Sequence, residues 1–206
     1  MIITYIGNLS VKAQVGDKTI TFNPPMRNDG TTPRTATDIA IFSYGRGGSV
    51  LSDEKTLLID GPGEYEAGGI FIKGIGVEKK TEGAKKINTV YSVLFDDINL
   101  CHLGGIDTSD IKPEMLEGMG GVDIIFVPVT GGDVATPSMA SKIATSFEPH
   151  IIVPMYSNDK GEIKDALKNF LKEEGSEDAK PQDKLTIKKK DIEGREGEIE
   201  ILIPQI

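Results

Sequence analysis

Histidine and cysteine, the side chains that most often hold transition metals, are nearly missing: the 206 residues contain two histidines and one cysteine. Cys101 alone can form neither an internal disulfide nor a thiolate cluster. Tryptophan is absent, and stretches such as "VDIIFVPV" fall well short of the ~20 apolar residues a membrane-spanning helix needs. Basic residues are also scarce, 23 against 32 acidic ones, for a net charge of -9. Broad contact with nucleic acid or an anionic membrane needs the opposite balance, so neither is an expected partner. The opening "MIITYIG" has no basic leader followed by an apolar run, unlike a signal peptide. These absences together point to a cytoplasmic protein in a reducing compartment.

What is present is mostly strand. Short runs rich in Ile, Val, Phe and Thr recur between turn residues: "MIITYI", "KTITF", "DIAIF", "TLLID", "GIFIKGI", "TVYSVLF", "INLCHL", "DIIFVPV" and "HIIVPM". Gly16-Asp17 and Asp96-Asp97 read as hairpin turns. Helical spacing marks two segments. Thr136-Pro137 opens one, with Met139, Ile143 and Phe147 on a face; Ile163, Ala166, Leu167 and Phe170 form a stripe in the other, ended by Gly175. "PEMLEGM" offers a weaker third, and "LTIKK" and "EIEILI" return to strand character near the end. No repeat or domain boundary interrupts the chain. A single domain over residues 1–206 is expected, of α/β class, with two packed sheets and helices outside.

One stretch draws attention as a candidate site. "DIAIFSYGRGGS" runs from an apolar strand into a turn of glycine, tyrosine and arginine. It is not a phosphate loop, because the lysine and following helix of that motif are absent. Ser43 and Ser49 have no nearby histidine base, so a serine nucleophile is unsupported.

The order of motifs resembles the metallo-β-lactamase superfamily, and within it the small prokaryotic branch described as metal-dependent hydrolases of the β-lactamase fold. "ITYIGNLSVKAQVGDKTITFNPP" is similar to the opening hairpin, and "LLIDGPGEYEAGGIFIKGI" to that branch's G-P-G-E-Y-E turn between strands. "INTVYSVLFDDINLCHLGGID" resembles a segment normally ending C-H-L-G-D. "DIIFVPVTGG" through "HIIVPMYSN" resembles a strand, helix and strand normally ending I-P-M-H-Y. The resemblance implies a four-layer αββα sandwich. It also implies a zinc or manganese site at one edge, where divalent metal lowers the pKa of bound water.

At every metal-ligand position the chain departs from that pattern. The H-x-H-x-D-H motif corresponds to Tyr44, Arg46, Gly48 and Ser49. The mid-chain histidine falls on or next to Lys79, the bridging aspartate on Gly105, and the final histidine on Tyr156. Asn8 replaces the outer histidine of the opening motif, and Asn23 its aspartate. No catalytic residue and no metal or other cofactor is therefore expected. Arg46 and Lys79 add cations where aspartates became glycines, which favours a small anionic ligand over a divalent cation. Relaxed decay of an unused site is the competing explanation.

The resulting expectation is a catalytically inactive member of the fold that acts as a binding or interaction module. A first alternative is a hydrolase with a non-standard site, for instance one metal on His102 and Asp107. A second is a structural subunit that associates with itself or a paralogue. Glu64 and Glu66 in "GPGEYE" read as scaffold, "KKTEGAKK" as a solvated basic loop, and "TGGD" as a loop flanking the same edge.

Overall fold

The structure is a computed structural model that describes residues 1–25, 37–44, 55–79, 86–109, 111–156 and 162–205, with the backbone alone at 162–164. Thirteen strands lie within these residues. The first run of alternating sequence makes a meander of β1 (Ile2–Gly7), β2 (Ser10–Val15) and β3 (Lys18–Phe22). Strands β4 (Ile39–Ile41) and β5 (Leu57–Ile59) then add in parallel to β3, and β12 (Leu185–Thr186) pairs with β1 to give the order β12-β1-β2-β3-β4-β5.

The second sheet starts with an antiparallel meander. It runs through β6 (Gly63–Ala67), β7 (Ile70–Lys79), β8 (Lys86–Phe95) and β9 (Ile98–His102). Asp96 and Asp97 both take positive φ, 55° and 60°, which matches the twist of a two-residue hairpin turn. Parallel strands β10 (Ile124–Pro128), β11 (Ile151–Met155) and β13 (Glu198–Ile199) complete the order β13-β11-β10-β9-β8-β7-β6. β10 and β11 are buried at every position, as parallel strands covered on both faces must be.

One apolar cluster joins the facing sides of the sheets, bringing Ile3, Phe22 and Ile41 of the first against Val93, Leu100 and Phe126 of the second. A second cluster lies behind, where Cys101, Ile125 and Val127 meet the helices. These are α1 (Pro113–Met119), α2 (Pro137–Ser146) and α3 (Glu162–Glu173). Thr136 caps α2 as its spacing predicts, its hydroxyl accepting the Met139 N–H at 3.4 Å, and Gly175 ends α3 with φ 64°. Leu171 is buried on α3 beside Ala166 and Phe170, which widens the expected stripe by one residue.

The architecture is the α/β sandwich of two mixed sheets, and among the described residues its helices all pack on the second sheet. Two expectations change. "GPGEYE" is more than a turn: Gly63–Ala67 is the edge strand β6, with Glu64 and Glu66 exposed and Glu64 paired to Lys73 at 3.3 Å. Acidic side chains along a free edge discourage pairing with another chain. "LTIKK" and "EIEILI" yield only two-residue strands, because each lies at a sheet margin and "KKD" turns into a single 3-10 turn, Lys189–Asp191.

At the end of the sandwich where β9 begins, Asp123 is buried yet fully used. It accepts the Asn99 N–H at 2.8 Å and the Lys189 ammonium at 2.7 and 2.8 Å, and His150 Nδ1 stands 3.5 Å away. Asp123→Ala leaves the Asn99 N–H without an acceptor and should cost about 2 kcal/mol. Urea unfolding at neutral pH measures this, and an unchanged midpoint would contradict it.

Candidate functional site

The edge opposite Asp123 is where β4, β7, β9 and β10 finish. Strand β4 belongs to the first sheet and the others to the second, so the ends of β4 must be tied across the sandwich. The Thr89 N–H of β8 donates to the Ser43 carbonyl at 2.8 Å, and the Tyr91 hydroxyl donates to the Phe42 carbonyl at 3.0 Å. Asn23, at φ 44° just past β3, accepts the Ser43 N–H at 2.8 Å and donates to the Leu9 carbonyl at 3.2 Å. These bonds fix Ser43 and so direct the next side chain, Tyr44, across the edge.

The turn after β9 is fixed from below. Asn88, wholly buried on β8, donates to the Leu103 carbonyl at 2.9 Å and accepts the Gly105 N–H at 2.8 Å. His102 is buried and stacked on Phe22, with ring centroids 4.7 Å apart. Its Nδ1 accepts the Gly104 N–H at 3.1 Å, which leaves the proton on Nε2 to donate to the Leu9 carbonyl at 3.0 Å. Both ring nitrogens are thus committed to backbone, and a metal on His102 would have to break one of these bonds.

Tyr44, Lys79 and Gly105 come together in this frame. The Tyr44 hydroxyl lies where a Cβ on Gly105 would stand, so the ring occupies the space of any side chain at 105. Lys79, at the end of β7, places its ammonium 5.1 Å above the Tyr44 ring and 3.4 Å from its hydroxyl. The same ammonium donates to the Asp133 carbonyl in the loop after β10. Burial pushes the Tyr44 hydroxyl well above the usual phenol range, and the nearby charges of Asp107 and Asp133 push it further. Tyr44 therefore keeps its proton at neutral pH and is a donor, not a nucleophile.

Tyr156 and Asn8 are joined to each other instead, through the Tyr5 hydroxyl. Tyr156 turns its hydroxyl to the Leu202 carbonyl at 2.9 Å and rests its ring on Tyr5, centroids 5.5 Å apart. Asn8 is exposed in the β1–β2 turn, where its carbonyl accepts the Tyr5 hydroxyl at 2.7 Å. Arg46, Gly48 and Ser49 lie outside the described residues.

Residues 2–156 match the family model described as the beta-lactamase superfamily domain. The chain belongs to that superfamily. Among solved structures it is similar to a provisionally assigned Zn-dependent hydrolase of the metallo-beta-lactamase superfamily from Thermotoga maritima, at 25% identity and TM-score 0.75, with 98% of each chain covered. It also resembles a metallo hydrolase from Ignicoccus hospitalis, at 15% identity and TM-score 0.61, covering 98% of this chain and 95% of that one. The metallo-beta-lactamase fold protein YhfI from Bacillus subtilis matches at 12% identity and TM-score 0.62, with 97% and 95% covered. No curated protein matches the sequence.

The superfamily implies a metal, and the described residues do not fit one. Among them no three His, Cys, Asp or Glu side chains gather into a metal-holding group. At Gly105, where the resemblance calls for a bridging carboxylate, the available volume holds a phenol instead. An ammonium is a donor without a lone pair, so Lys79 in its charged form cannot ligate.

Asn88 escaped the sequence reading as a site builder, whereas Asn23 and the loop holding Asp133 lie where that reading had placed the edge. Asn88 had left a signal, a lone amide inside the apolar run "INTVYSV". Buried polar side chains in such runs are usually hydrogen-bonded to something specific.

His102 also makes the fold acid-sensitive. Burial lowers its pKa from 6.5 to about 4, so the unfolded chain takes up a proton at higher pH than the folded one. The stability it contributes is complete above pH 6.5 and is lost as pH falls toward 4, by about 3 kcal/mol in all. Urea unfolding across that window should show the loss, and His102→Gln should flatten it. A wild-type profile with no slope between pH 6.5 and 4.5 would be the contrary result.

Proposed function

We propose that this chain is a superfamily member working without a metal, as a binding module rather than a hydrolase. Its ligand is a small anion held by the Lys79 ammonium, with Arg46, outside the described residues, as the second cation that the sequence offers. The observation that carries the reading is the Tyr44 hydroxyl lying in the side-chain space of Gly105, beneath the Lys79 ammonium. A carboxylate and a divalent cation have been exchanged there for a neutral phenol and a fixed positive charge. Two of the three Lys79 donors are accounted for among the described residues, by Asp133 and Tyr44. Ammonium and phenol together suit a phosphate, sulfate or carboxylate group, since both donate hydrogen bonds and one is charged.

The rival reading, a hydrolase with a non-standard site on His102 and Asp107, is weakened because both imidazole nitrogens are already bonded to backbone groups. Two measurements test the proposal. Protein purified without a polyhistidine tag from zinc- or manganese-supplemented medium should contain far less than stoichiometric metal. Phosphate or sulfate should raise its Tm, and Arg46→Ala should abolish the rise. Stoichiometric tight metal with phosphodiesterase, lactonase or amidase activity would overturn the metal-free reading. A Tm indifferent to every anion would overturn the anion assignment, and light scattering would then examine self-association.

A further inference from the structure

We infer that Tyr44 and Lys79 form a side-chain brace that joins the two sheets at their open edge, in the place a metal centre would occupy, and that position 105 is glycine because the brace fills its side-chain space. The chain of contacts is continuous. Tyr44 leaves the first sheet at the end of β4, and its hydroxyl ends against Gly105 in the turn after β9. Lys79 leaves β7 and covers the ring at 5.1 Å, within the range of a cation–π contact. Its ammonium then reaches the Asp133 carbonyl beyond β10. Four segments, one from the first sheet and three from the second, are thereby linked through two side chains. Asp107 and Asp133 lie close enough to disfavour ionisation of Tyr44.

Space, not backbone conformation, explains the glycine. Gly104 sits at φ +60°, a conformation that favours glycine, whereas Gly105 does not fall in that region. Replacing a glycine of ordinary conformation by alanine is normally neutral or stabilising. At 105 the added carbon would collide with the Tyr44 hydroxyl. The brace is independent of any ligand, so a negative anion test leaves it standing.

Thermal unfolding decides the matter, first among wild type, Gly105→Ala, Tyr44→Ala and the double variant, and then with Lys79→Met added to wild type and to Tyr44→Ala. Gly105→Ala should lower Tm by roughly 5 °C or more in the wild-type background, the scale of an overpacked site in a domain of this size. In the Tyr44→Ala background the same change should leave Tm unchanged or raise it. Lys79→Met should lower Tm with Tyr44 present and have little effect without it, and EDTA should not move the wild-type Tm. If Gly105→Ala does not fold, recovery of folding in the double variant supports the brace equally. A neutral or stabilising Gly105→Ala, equal losses in both backgrounds, or a Tm drop in EDTA would each overturn it.

Discussion

Two sheets packed face to face must satisfy, at their open edge, backbone groups that neither sheet can pair by itself. Here that constraint is met by bonds that cross the sandwich. The Ser43 carbonyl is paired from β8, the Phe42 carbonyl from Tyr91, and the Leu9 carbonyl from the His102 ring. Each of these groups is buried or nearly so, where an unpaired polar atom costs more than a formed bond returns. The edge is therefore a rigid frame first, and the side chains it presents are a consequence. Tyr44 points where it does because Ser43 is held on both its amide and its carbonyl.

The fold is what the chain shares with the solved hydrolases it resembles, and this frame is built from its own residues. His102 illustrates the division. It looks like a remnant of metal chemistry, yet its ring bonds backbone on both sides and stacks on Phe22. Its neutrality follows from burial, and neutrality is what allows Nδ1 to accept and Nε2 to donate. Tyr156 has likewise been absorbed into packing, its hydroxyl spent on the Leu202 carbonyl. Tyr44 and Lys79 meet one another at the edge, and the Tyr44 hydroxyl takes the side-chain space at 105.

A second polar centre sits at the far end of the strands. A cavity of about 660 Å³ there runs from the exposed pair Phe71 and Leu94 to Asp123 and His150. Its charges are largely internal, Lys73 answering Glu64 and Lys189 answering Asp123. The two ends of the sandwich thus solve the same problem of buried polarity differently, one with an ion pair and one with a phenol under an ammonium.

Much of this was legible in the residues. Alternating apolar runs and turn residues located nearly every strand, since period-two burial leaves its mark directly in the chain. Thr136-Pro137 and Gly175 marked helix ends because capping is local chemistry. The edge strand within "GPGEYE" was missed, since one half-exposed strand looks much like a turn until its partner is known. The sequence alone pointed to the fold class, and it raised the expectation that the usual metal ligands are replaced. The tertiary structure decided which replacements meet. Tyr44, Lys79 and Gly105 are separated by 26 to 61 residues along the chain, and no local pattern records that a hydroxyl from one sheet occupies the side-chain space of a glycine in the other. Packing across the sandwich, where two atoms cannot share one volume, settles that.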